Sequence, residues 1–181
     1  MAIRRILRMG HPLLRQVARR VEPQEIGGGA LPRLLEDMLD TLHDYGGVGL
    51  AAPQIGESLQ LAIIEIAGGP SRYGEIPPLP LTVFINPEIR VIDPAVKGYW
   101  EGCLSIPGLR GFVERPQHVE VTFINAQGVR ERLELAGFLA TVVQHELDHL
   151  AGTLYVDRIK DSRLLGFEQE FERYLAPREA A

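Results

Sequence analysis

The stretch Gln144-His145-Glu146-Leu147-Asp148-His149-Leu150 constrains this chain more than any other. It holds the pattern His-Glu-x-x-His, and the apolar spacing from Phe138 to Leu150 is that of a helix. Residues four apart on a helix share a face, so His145 and His149 point the same way with Glu146 beside them. Two imidazoles so placed can hold one metal ion, and the adjacent carboxylate can act on a water bound to it. Leu139, Val142, Val143 and Leu150 mark the stripe that faces a core, and His145, Glu146 and His149 lie on or beside that stripe. Burying a charge without a partner costs on the order of several kcal/mol, comparable with the stability of a domain. A metal ion offsets that cost. A solvated helix face making ordinary hydrogen bonds, the plainer reading, does not suit those apolar neighbours.

With 181 residues, 45% of them apolar and 24% charged, the chain fits one domain, 1–181, with a sizeable core. A net charge of −5 gives no reason to expect a nucleic-acid partner, and no apolar run approaches the length of a membrane-spanning helix. Cys103 is the single cysteine, so no intramolecular disulfide forms. That fits a reducing cytoplasm and leaves Cys103 as a small buried hydrophobe, a reactive thiol or a ligand. Arg4, Arg5, Arg8, Arg15, Arg19 and Arg20 make the first twenty residues basic. Organelle transit peptides share that bias, but this stretch lacks serine and runs straight into patterned sequence, so it reads as part of the mature domain.

The elements follow from periodicity and punctuation. His11-Pro12 starts a short helix to about Arg19, and Pro23 with Gly27-Gly28-Gly29 makes a loop. Leucines and Met38 at helical spacing predict a helix over Leu31–Tyr45, stopped by Gly46-Gly47; His43, near its end, suits a cap or a surface hydrogen bond. Gly47 to Gly56 reads as a turn between helix and strand, where Gln54 is an ordinary polar residue. Strands are expected at Leu59–Ile66, at Leu81–Ile92 with a break at Asn86-Pro87, at Phe112–Asn125 and at Val129–Leu135. Gly68–Pro80, rich in glycine and proline, is expected to be an irregular loop or lid, and Cys103 to sit on a turn or short strand. After the helix of the metal motif, Leu154–Ile159 is expected to be extended, and Ser162–Leu175 to form a last helix with Leu164, Phe167, Phe171 and Tyr174 on its apolar face. This order argues an α+β fold, with antiparallel strands packed around the metal-binding helix, N-terminal helices at its flank and a C-terminal helix.

A catalytic site of this kind takes three protein ligands and leaves a position for water. The extended pattern with a third histidine fails, because Tyr155 fills that position and no histidine follows His149. Two routes remain. One is a glutamate of the next helix, Glu168, Glu170 or Glu172; the other is Cys103, whose thiolate binds such metals well.

Three segments then stand together: Gly47-Val48-Gly49-Leu50-Ala51-Ala52-Pro53-Gln54, Glu101-Gly102-Cys103-Leu104-Ser105 and Gln144-His145-Glu146-Leu147-Asp148-His149. In order and spacing they resemble the three signature motifs of peptide deformylases, and the similarity runs from about Ile6 to Ile159. The resemblance implies a bacterial cytoplasmic hydrolase, monomeric, that removes the formyl group from the N-terminal formyl-methionine of nascent proteins and releases formate. It implies a ferrous ion, replaceable by zinc, nickel or cobalt, held by Cys103, His145 and His149. Glu146 would carry the proton from water to the departing amine, while the Gln54 side-chain amide and the Leu104 backbone N–H receive the oxyanion. Val48 and Val142 would border the methionine pocket, Gly49 and Gly102 would offer backbone hydrogen bonds to the peptide, and Arg110 would approach it across the cleft. Glu101 and Asp148 would support the ligands from behind. Some bacterial members dock on the ribosome, near the exit tunnel, through a basic C-terminal helix; Ser162–Ala181 is acidic on balance, which argues against that contact.

Overall fold

A computed structural model of the chain describes residues 2–71 and 74–176. The N-terminal helix is only a 3-10 turn, Pro12–Arg15, capped by His11. It does not reach Arg19 because the next residues are drawn into pairing with distant backbone. Ala18 N–H donates to the Leu150 carbonyl at 2.9 Å, and Arg19 N–H to that of Ser58 at 3.1 Å. The segment expected as a loop contains a one-turn helix, α1 (Pro23–Ile26), closed by a reciprocal Glu22–Glu25 cap. Helix α2 (Ala30–Tyr45) matches its leucine spacing, buries Leu31, Met38 and Leu42, and ends at Gly46 in the left-handed conformation (φ 65°).

The strands are β1 (Gly49–Ala51), β2 (Leu61–Ile66), β3 (Gly69–Ser71), β4 (Gly74–Ile76), β5 (Leu79–Cys103), β6 (Ile106–Ile124) and β7 (Arg130–Ala136). A 3-10 turn, Ala52–Ile55, joins β1 to the run before β2. The 68–80 segment is therefore not irregular. Its centre is the small antiparallel hairpin β3–β4, on which proline at the edge costs no shared hydrogen bond. The strand expected at Leu81–Ile92 is one part of the 25-residue β5, which runs on to the cysteine. Its register slips between Ile85 and Glu88, where Asn86 adopts φ 49° and its side-chain amide bonds both the N–H and the carbonyl of Val21 at 2.8 Å. Those bonds to the N-terminal segment replace the ladder bonds lost at the break.

Helix α3 (Phe138–Leu150) follows β7. Beyond it Leu154–Ile159 is not extended; Tyr155–Arg158 forms a 3-10 turn. The last helix is shorter than its periodicity predicts. A strand, β8 (Leu165–Phe167), interrupts it by pairing with residues 109–111 of β6. Helix α4 (Glu168–Glu170) then leads into a single wider turn, Phe171–Leu175. Phe171 is 1% exposed, whereas Phe167 and Tyr174 face solvent, since strand pairing re-aims the side chains around Phe171.

The main sheet has the order β1-β2-β5-β6-β7, with β8 on β6, and every pairing of these strands is antiparallel. Alternation along β2 serves two layers. Ile64 and Ile66 face α3 in a cluster with Phe84, Val119, Val121, Leu139, Val142 and Val143. Leu61 and Ile63 face α2, packing with Met38, Leu42, Leu50 and Ile85. The sheet thus lies between the two long helices and presses α3 against the ends of β1 and β5. Among the described residues no helix is long and apolar enough to cross a membrane.

Candidate metal centre

His145 and His149 stand on one face of α3 with ring centroids 5.2 Å apart. Cys103 is the last residue of β5, where the strand turns back so that Cys103 pairs with Ile106. That turn carries the thiol to the helix. One donor atom from each of Cys103, His145 and His149 lies within 4.8 Å of the others, and Cys103 Sγ is 3.3 Å from His149 Nε2. Among the described residues this is the group of donors fitted to a metal. The glutamate route fails: among the described residues none of Glu168, Glu170 and Glu172 joins that donor group, and Glu168 is bonded to Arg110 instead.

A chain of charges, buried except at its last member Arg158, sets the orientation of His145. Glu101 Oε2 lies 2.8 Å from His145 Nδ1, which leaves Nε2 for a metal. Arg115 donates to Glu101 through Nε (2.7 Å) and Nη2 (3.1 Å), and through Nη1 to Asp148 Oδ2 (2.8 Å). Arg158 closes the chain by donating to Asp148 Oδ1 at 2.7 Å. Glu101 and Asp148 were legible as supports, whereas Arg115 and Arg158 were not. An arginine followed by proline in a strand carries no local mark of burial, yet Arg115 is almost fully buried between two carboxylates.

Burial alone would raise the Glu101 carboxyl, but its bonds to His145 and Arg115 hold it below the ordinary range. Burial likewise opposes charge on His145, yet hydrogen bonding to Cys103 and Glu101 raises its pKa well above normal. His149 goes the other way, lowered well below normal by burial and then by the positive charges of His145 and Arg115. That shift favours the neutral imidazole, the form that ligates. Burial pushes Glu146 up to about 7 against the attraction of His145. Its Oε2 is buried without a hydrogen-bond partner, as is Nδ1 of His149. A thiol, two imidazoles and an unpartnered carboxylate oxygen beside them form a donor set that fits a divalent transition metal with its water.

The opposite wall comes from the β1 region. Gln54 is 2% exposed. Its Oε1 accepts from Ala51 N–H at 2.8 Å, which leaves the amide NH2 facing Ser105 Oγ (3.2 Å) and Cys103 Sγ (3.5 Å). Gly49 lies against the Glu146 carboxylate. Leu104 packs its side chain into the α2 cluster and over Gly47. Gly102 lies under the Arg110 guanidinium, Val142 is buried in the α3 cluster one turn before His145, and Val48 is 43% exposed. Two further residues are assigned no part in the site by the sequence. Ser105 is fully buried behind Gln54, and Tyr155 stacks on His145 at 6.0 Å with its phenol pKa driven up by burial.

An antiparallel sheet closed on a helix that bears His-Glu-x-x-His, with a thiol as third donor, defines a metal-dependent hydrolase. The profile of the polypeptide deformylase family matches residues 3–164. The peptide deformylase of Leptospira biflexa is 41% identical over 172 residues, 95% of this chain and 96% of that one. Peptide deformylase 1 of Nitrosomonas europaea is 46% identical over 91% of this chain and 92% of its own. A class I type b peptide deformylase from Acinetobacter baumannii, solved with Met-Ala-Ser bound, superposes with a TM-score of 0.81 at 36% identity, covering 87% of this chain and 99% of that one. The chain belongs to the polypeptide deformylase family, metal-dependent enzymes that remove the N-terminal formyl group from nascent peptides.

Proposed function

We propose that Cys103, His145 and His149 hold a ferrous ion, for which zinc, nickel or cobalt can substitute, and that Glu146, Gln54 and Leu104 perform the deformylation of formyl-methionyl peptides around it. The observation that carries this reading is the convergence of the three donors beside a buried, unpartnered Glu146 oxygen. The donor set by itself suits zinc as well; iron rests on the family likeness.

A metal held by Cys103, His145 and His149 would supply the Lewis acidity that makes water nucleophilic near neutral pH. Glu146 takes one proton from the attacking water as the water oxygen bonds to the formyl carbon. The Gln54 amide N–H and the Leu104 backbone N–H donate to the carbonyl oxygen as it gains charge, and losing one such donor typically costs about 3–4 kcal/mol of barrier. Glu146 then returns its proton to the nitrogen as the C–N bond breaks, and the proton of the formic acid so formed passes to the amine or to solvent, leaving formate and the new N-terminus. A carboxyl near pH 7 is well matched to both transfers. Gly49 and Gly102 bond the peptide backbone, Val48 and Val142 border the methionine side chain, and Arg110 stands farther along the cleft.

The same reading takes residues 1–181 as one catalytic domain, acting as a monomer in the bacterial cytoplasm. Docking at the ribosomal exit tunnel through the C-terminal segment is disfavoured by its acidic balance; Pro177–Ala181 lies outside the described residues.

The test is formate release from a formyl-Met peptide by protein loaded with ferrous ion without oxygen, alongside metal analysis. Cys103→Ala is expected to lose metal and turnover together, and Glu146→Ala to keep metal and lose turnover. Turnover surviving in Glu146→Ala overturns the mechanism, and metal retained in Cys103→Ala overturns the ligand set.

A further inference from the structure

The C-terminal segment reaches the cleft through one ion pair. β8 lies antiparallel to residues 109–111 of β6, with Gly166 opposite Arg110, so Glu168 emerges beside the Arg110 side chain. Arg110 Nε donates to Glu168 Oε1 at 2.8 Å, and Nη2 bonds the same oxygen. The guanidinium lies against Gly102, where a β-carbon would come within 2.7 Å of Arg110 Cζ. Gly102 directly precedes the ligand Cys103, and both members of the pair remain about one-third exposed. A positive and a negative charge are thus held together against the residue that precedes the ligand Cys103.

We propose that Glu168 is a specificity-determining residue: by holding and neutralising Arg110 over Gly102, it makes the cleft indifferent to the charge of the peptide residues that follow the formyl-methionine. This inference rests on the deformylase reading above. It adds a function for a segment outside all three sequence motifs. With Glu168 in place a passing side chain meets an ion pair with no net charge. Without it, the side chain meets a lone guanidinium, which attracts carboxylates and repels ammonium groups. An exposed pair of this kind shifts an equilibrium by about two- to fivefold, and salt screens it.

The experiment compares kcat/KM for two formyl-Met peptides that differ only in carrying Asp or Lys at the second and third residues, using iron-loaded wild type, Glu168→Gln and Glu168→Asp. The Asp-to-Lys ratio is taken within each preparation, so partial unfolding or incomplete metal loading cancels. It is expected to be near one in the wild type, to rise about two- to fivefold for Glu168→Gln, to fall back at high salt, and to be restored by Glu168→Asp. An unchanged ratio in Glu168→Gln overturns the proposal and leaves the pair a purely structural clasp. Failure of the deformylase reading would look different: the wild type would release no formate from either peptide.

Discussion

Gly49 and Glu146 touch across the cleft so closely that a β-carbon at residue 49 would lie 2.7 Å from Glu146 Cδ and closer still to Oε1. A side chain at 49 must therefore push the carboxylate aside. Because the crowded atoms are the far end of a flexible side chain, Gly49→Ala is expected to lower stability little while moving Glu146 off its working position. A displacement of about 1 Å in a catalytic group can cost on the order of 100-fold in rate. Gly49→Ala is expected to retain its metal and lose about 10- to 100-fold in kcat. Full activity in that variant would mean that Glu146 has more freedom than its packing indicates.

Arg115 serves two buried carboxylates at once. Removing it leaves Glu101 with His145 alone and Asp148 with Arg158 alone, and breaking a buried pair costs up to about 3–5 kcal/mol. Arg115→Ala is expected to unfold at much lower urea and to hold metal less tightly, as Glu101 loses its grip on His145. Arg115→Lys should recover only part of either, since one ammonium cannot reproduce the forked contact. Urea midpoints and metal retention after gel filtration check this.

Asp157 links the 3-10 turn after α3 to Arg15 and accepts from Leu154 N–H at 2.8 Å. Burial works to raise its pKa, but the bonds from Arg15 and Leu154 hold it below 3.8. A depressed folded-state value means that its stabilisation is fully present above the ordinary 3.8 and disappears as pH falls through the lower folded value. The stability gap between wild type and Asp157→Asn is expected to be constant at pH values above the ordinary 3.8 and to close as pH falls through the lowered folded-state value. A gap that stays open in acid would assign the stabilisation to something other than the carboxylate charge.

Metal removal should act on stability as well as on turnover. A ligand at about 100 times its Kd adds about 2.7 kcal/mol to a native state that alone binds it. Chelation is expected to abolish formate release and lower Tm, and ferrous ion or zinc to restore the Tm. In Cys103→Ser the Tm response to added metal should be strongly reduced, as measured by calorimetry under nitrogen.

What the sequence determined on its own is what is local. The i, i+4 spacing of His145 and His149 needs only a helix, and the apolar stripe of Leu139, Val142 and Val143 shows which way that helix faces. The leucines of α2 and the break at Asn86-Pro87 are likewise local signals, and both stand in the structure. The third donor lies 46 residues from His149, and residue spacing alone left it open between Cys103 and the later glutamates; only likeness to a family's motifs decided it before the fold was known. Pairing over long distances produced the rest. The hairpin at Gly69–Ile76 forms despite Pro70 because that residue lies on an edge, and the final helix is cut short because 165–167 finds the open flank of β6. Arg115, Arg158, Ser105 and Tyr155 acquire their places only when β5, β6 and the turn after α3 meet around His145. Burial and charge pairing are properties of that meeting, and a residue's neighbours along the chain do not encode them.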